Sequence, residues 1–120
     1  MNDSVGRYVE PPEGDFGIFR SAIDAGEWGS AGRELVGLAM HSDDWRMVQE
    51  LCLALLDHDD VDLRSVAIIC LSHIARIHRR LGPGAISELE ARASDPSVGA
   101  LVHEILEEIE IYLRSGGDRG

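Results

Sequence analysis

The residues best placed to do chemistry are the carboxylates of Asp57-His58-Asp59-Asp60-Val61-Asp62, four aspartates in six positions. Clustered carboxylate oxygens suit a hard cation such as Ca²⁺. An EF-hand loop, however, needs acidic groups at alternating positions, a Gly at the sixth and a Glu at the twelfth. Counted from Asp57, the fifth position is Val61, the sixth Asp62 and the twelfth Ile68, so the pattern fails. Turn formation and helix capping account for these side chains better. The histidines make no zinc motif: His103-Glu104 is followed at position 107 by Glu, where a metalloprotease helix carries its second His. His73 and His78 are five apart and do not share a helix face. They are expected at the surface or half-buried.

Nucleophilic chemistry finds no support either. G-x-S-x-G is absent, Cys52 and Cys70 fall in apolar runs, and no Lys exists to form a Schiff base or clamp a phosphate. Gly82-Pro83-Gly84 is a turn, because Pro83 removes an amide donor and no G-K-[ST] follows. The expectation is a non-enzymatic chain with no metal and no cofactor. Its cysteines are expected to pack as small buried hydrophobes rather than to form a disulfide framework.

The elements that position these groups are helical. Residues 1–14 contain Pro11, Pro12 and scattered polar groups and read as a flexible arm. Asp15 is placed to cap a helix to about Ala25, with Phe16, Phe19, Ile23 and Ile18 on its apolar side, and Gly26 ends it. Trp28, Leu35, Val36 and Ala39 share one face of the next segment, weakened by Gly29, Gly32 and Gly37. Ser42 or Asp43 then offers an N-cap, and Val48, Leu51, Cys52 and Leu55 follow at i, i+3, i+4 and i+7. From Asp62 to Arg80 the chain is apolar around most of a helix, as expected of an element buried on several sides at the centre of the domain. Gly82-Pro83-Gly84 is expected to stop it. A short helix carries Ile86, Leu89 and Ala93, and a last one runs from about Val98 to Arg114 on a Val98, Leu101, Val102, Ile105, Ile109, Tyr112 and Leu113 face. Residues 15–114 make one domain, and 115–120 read as a disordered tail.

Of 120 residues, 22 are acidic and 11 basic, giving a net charge of −11. Such a surface repels phosphate, which argues against nucleic acid, and favours a basic protein partner; solubility alone is the other reading. Two clusters carry the acidic partner face: Asp59, Asp60 and Asp62 in the turn, and Glu104, Glu107 and Glu108 on the last helix. Trp45 is either a surface anchor or a staple for its turn. Arg76, Arg79 and Arg80, with His73 and His78, form the one basic spot; they complement a helix end or anchor an acidic patch on a partner. No apolar run spans a bilayer and no signal peptide is visible, so a cytoplasmic protein without a membrane partner is expected.

The helices also repeat. Displaced by thirty-five positions, Leu63, Ala67, Cys70 and Ile74 meet Val98, Val102, Ile105 and Ile109; displaced the other way, Cys70, Leu71 and Ile74 meet Leu35, Val36 and Ala39. One register serves three helices, which predicts three antiparallel hairpins, with a six-helix bundle lacking repeat symmetry as the other reading. The run Leu55-Leu56-Asp57-His58-Asp59-Asp60-Val61-Asp62-Leu63-Arg64-Ser65-Val66-Ala67 resembles the turn of a HEAT-like repeat, in which an apolar residue and an Arg follow an Asp/Pro turn. Asp95-Pro96-Ser97-Val98 resembles the next copy, with Gly99 or Ala100 at the Arg position, and the first hairpin shows no such turn.

The resemblance covers roughly residues 43–113 and implies an all-α, HEAT-like short α-solenoid that binds a ligand along a concave surface. In size, charge and helical make-up the chain also looks like immunity proteins of bacterial toxin–immunity pairs, including contact-dependent inhibition systems. That likeness implies occlusion of a basic toxin surface by the acidic clusters. A HEAT-like adaptor or regulatory subunit binding a host protein or peptide is the alternative. Uncovered terminal hairpins allow a monomer or a weak homodimer.

Overall fold

The structure, a computed structural model, describes residues 13–117, with side chains through Arg114. Most of the arm expected at residues 1–14, and the end of the tail, therefore lie outside the described residues. Six helices follow one another: α1 (Phe16–Ala25), α2 (Trp28–His41), α3 (Trp45–Ala54), α4 (Val61–His78), α5 (Ala85–Glu90) and α6 (Gly99–Gly117). Among the described residues the fold is all-α, as the apolar periodicities predict.

Three of the starts are set by aspartates. Asp15 accepts the Ile18 N–H at 2.9 Å, Asp44 the Met47 N–H at 3.2 Å and Asp60 the Leu63 N–H at 2.9 Å. Each carboxylate satisfies an orphan donor at the positive end of its helix. The α3 cap is thus Asp44 rather than Ser42 or Asp43; the Ser42 hydroxyl instead accepts the Asp44 N–H at 3.0 Å and shapes the turn. At the far end of the chain, helix α6 continues through Gly117, past the expected tail boundary.

Helix α4 lies at the centre, packed on α2, α3 and α6. Leu63, Ala67, Ile68, Cys70, Leu71, Ile74 and Ala75 are all buried along it. Its flanking rows come from equivalent registers: Leu35 and Ala39 on α2, and Val98, Val102, Ile105 and Ile109 leading into and along α6, are buried as well. These rows belong to one continuous core.

Two expectations change. Phe16 and Ile18 are exposed, at 43% and 55%, because α1 packs substantially on α2 only and covers a single face, made of Phe19 and Ala22 with Ile23. Helix α4 stops at His78, ahead of Gly82-Pro83-Gly84. Arg79 takes the left-handed conformation, φ 57°, and its N–H closes the helix on the Ala75 carbonyl at 2.9 Å. Breaking there brings Leu81 back against the core and lets the Gly82 N–H donate to the buried Gln49 Oε1 at 2.7 Å.

Gly99 is also explained. A Cβ there would collide with the Ala93 carbonyl oxygen, so the turn before α6 has no room for the side chain that the HEAT-like pattern places after it.

Candidate functional site

A cleft of about 620 Å³ opens between the N-terminal ends of α2 and α4. Trp28, Val36, Leu63 and Val66 supply apolar surface; Glu34, Asp60, Asp62 and Arg33 supply the charges. Gly29 and Gly32 also line it. They were expected to weaken α2, yet the helix forms, since tertiary packing overrides propensity. At Gly32 an added Cβ would lie 3.6 Å from Val66 Cγ2, so the missing side chain keeps this end of the α2–α4 seam open.

The walls are held from behind. Asp60 caps α4, and its own N–H donates to His58 Nδ1 at 3.0 Å. That bond makes Nδ1 the acceptor and leaves the ring proton on Nε2 in the neutral form. The His58 ring meets Trp28 edge to face at 4.5 Å between centroids, joining the acidic turn to the start of α2. Glu34 Oε1 accepts the Asp15 N–H at 2.9 Å, tying α2 to the α1 cap. Asp62, exposed in the first turn of α4, makes no hydrogen bond or ion pair among the described residues.

Three carboxylates against one guanidinium give the cleft an acidic rim over an apolar floor. An apolar stem with a cationic head matches that pairing, because Arg and Lys bury their methylenes while keeping the charge at the rim.

Polar ties also join neighbouring turns and helices. Arg64 donates to the His58 carbonyl at 2.7 Å and to Ser97 Oγ at 2.9 Å, joining the turns before α4 and α6. Its Nε is buried without a partner. Asp95 accepts both the Ser97 N–H and hydroxyl, at 2.8 and 2.7 Å, which holds its carboxyl below the usual range. Asp57 is bound by Arg92, which lowers the carboxyl and raises the guanidinium. The Ser72 hydroxyl donates to Glu108 at 2.9 Å.

The residues singled out from sequence do not form one patch. Asp59, Asp60 and Asp62 stand at the start of α4, and two of them line the cleft. Glu104 and Glu107 are exposed further along α6, while Glu108 is half-buried and occupied by Ser72. Trp45 lies at the opposite end of α4, half-buried against the core, its ring 6.2 Å from that of His78. The site residues missed by sequence reasoning are Trp28, Val36, Leu63 and Val66, whose periodicity marked them only as core. The unusual glycine pair in α2 was the available signal.

Among the described residues no group of three or more His, Cys, Asp and Glu is placed to hold a metal ion. No helix is long and apolar enough to cross a membrane. Comparison with family models, curated proteins and solved structures returned no match.

Proposed function

We propose that this chain is a non-enzymatic protein-binding domain, a short HEAT-like α-solenoid of three antiparallel hairpins, α1–α2, α3–α4 and α5–α6. Support for the array comes from packing order: the second helices α2, α4 and α6 form a row, and each also packs on its hairpin partner. The specific role we assign is neutralisation of a cytoplasmic bacterial toxin domain, an immunity function exercised by occlusion. The carrying observation is the α2–α4 cleft, with its apolar floor of Trp28, Val36, Leu63 and Val66 beneath Glu34, Asp60 and Asp62.

The mechanism divides between steering and anchoring. The net charge of −11 draws a basic surface from a distance and raises the encounter rate at low salt. Asp59 and Asp62, both exposed, and Glu104 and Glu107 on α6 extend the acidic field. A basic side chain of the partner enters the cleft, lays its stem on Trp28 and Val66, and meets Asp62 at the rim. Desolvated anchors of this kind dominate binding energy while rim charges set the rate.

The test is capture of partners by tagged full-length protein from its native cells, at low and at high salt. A basic toxin domain recovered in stoichiometric amount, and weakened by both Trp28→Ala and Asp62→Asn, is the expected result. A toxin whose affinity ignores both substitutions overturns the cleft. Stoichiometric recovery of a housekeeping enzyme indifferent to salt overturns the immunity role and favours an adaptor.

A further inference from the structure

The end of the molecule opposite the cleft carries a contrasting arrangement. Arg46 lies over the Trp45 ring, 4.6 Å from its centroid; Trp45 lies against His78; and Arg79 stands 5.7 Å from the Tyr112 ring. Cations and rings thus alternate across the start of α3, the end of α4 and the late part of α6. Arg80 follows, exposed, and Arg76 sits one turn earlier with Nη2 3.4 Å from His73 Nδ1. In a chain that is acidic as a whole, four arginines gather at one end.

None of these four arginines forms an ion pair with a carboxylate among the described residues, whereas Arg20, Arg92 and Arg114 all do. Nearby carboxylates are engaged elsewhere: Asp44 caps α3, Glu110 holds Arg114 at 3.0 Å and Glu108 accepts from Ser72. Asp43, and Glu50 one turn along α3 from Arg46, are the exposed exceptions. A guanidinium held by its face on a ring keeps its in-plane N–H donors free, and those donors match a carboxylate in a two-point pair. Holding the side chain beforehand also reduces the entropy lost when a ligand binds. The backbone adds a second observation, because Arg79 occupies a left-handed position that glycine fills at lower cost.

We propose that this end is a second docking surface, specific for a short carboxylate-rich segment of a protein partner. Arg79 and Arg80 pair with the carboxylates, while Arg46 on Trp45 bounds the patch. A long polyanion such as nucleic acid is disfavoured, because many phosphates would meet the negative charge of the rest of the chain, whereas a short segment samples only the local field.

The two tryptophans make the test direct, since Trp28 reports on the cleft and Trp45 on this end. A hexaglutamate peptide, titrated at low salt into full-length Trp28→Phe protein, is expected to shift Trp45 emission saturably and to lose affinity as salt rises. Arg79→Gly and Arg80→Ala are each expected to weaken binding about fivefold or more. Arg79→Gly keeps the fold, because glycine suits the left-handed position. Asp62→Asn, at the cleft, is expected to leave peptide affinity within twofold, so failure of the cleft reading and of this one are distinguishable. No saturable binding, or binding unchanged by both arginine substitutions, overturns the proposal. A single-stranded oligonucleotide of equal charge that binds the same end more tightly overturns the choice of ligand.

Discussion

Arg92 grips both oxygens of Asp57, Nε to Oδ1 at 3.1 Å and Nη2 to Oδ2 at 2.7 Å, across thirty-five residues of sequence. Its remaining nitrogen reaches Glu88 at 2.7 Å on the preceding turn. The Arg92 side chain is largely covered but that of Asp57 is 77% exposed, so solvent still screens the pair. The bond fastens the turn between α5 and α6 to the turn between α3 and α4. Arg92→Ala and Asp57→Asn should each lower the melting temperature. The double variant should lose less than the sum, as coupled partners do. Strict additivity in thermal melts would show that the pair does not join the hairpins energetically.

A buried amide holds the turn after α4. Gln49 is 4% exposed and its Oε1 receives the Gly82 N–H. Gln49→Ala should cost about 1–3 kcal/mol, the usual penalty for stranding a buried donor. Gly82→Ala should also destabilise, since its Cβ would stand 2.7 Å from Gln49 Nε2 and push that amide aside. Urea unfolding measures both; an unchanged midpoint for Gln49→Ala would mean that water replaces the bond without cost.

The two thiols meet inside the core. Cys52 on α3 and Cys70 on α4 are fully buried, and hydrogen bonding to Cys70, with burial, pushes the Cys52 thiol well above its ordinary value. A protonated, inaccessible thiol is a poor nucleophile. Native protein should therefore resist a thiol-reactive disulfide reagent, and both cysteines should react at once in denaturant. Rapid modification of the folded chain would contradict the packing of α3 on α4.

Acid should destabilise the fold in two stages. Burial, then the charge of Arg76, holds His73 below its ordinary 6.5, with Glu108 opposing. The unfolded chain therefore takes the proton first, and stability present above pH 6.5 is lost as pH falls through the folded value. Asp57 and Asp95 are held below their ordinary 3.8, so their contribution is present above that value and disappears as pH drops through their folded values. Melting temperatures from pH 8 to 3 check the sign. His73→Gln should flatten the first stage and leave the second; an unaltered first stage would assign it to another group.

Gly99 should tolerate no side chain. Its Cβ would meet the backbone oxygen of Ala93, which cannot rotate away. Gly99→Ala is expected to cost about 1–3 kcal/mol, in the range of overpacking. An unchanged urea midpoint would show that the turn before α6 moves freely.

Much of the fold could be read along the chain. The apolar spacing in α4 placed it at the centre, because a helix apolar on most sides has to be covered on most sides. The apolar faces of α2, α4 and α6 were visible because each helix buries a row of regularly spaced positions against its neighbours. Phe16 and Ile18 were misplaced for the same local reason: periodicity reports which residues are apolar, not how many neighbours a helix has. The stop at Arg79 was hidden too, since no local preference puts arginine in a left-handed position; Leu81 and Gln49 decide it from outside the helix.

By itself, then, the sequence determined the helices, the Asp15 cap, the central element and the excess of negative charge, all of which follow from nearest-neighbour chemistry and period. Tertiary structure alone decided which carboxylates are committed and which are free. Asp57 and Glu108 turn to partners elsewhere in the fold, while Asp59 and Asp62 face solvent. It also decided that Trp28 and Val36 frame an acidic cleft and that Trp45, Arg46, His78, Arg79 and Tyr112 meet at the other end. These sites join residues from different helices, and only helix packing sets which of them meet.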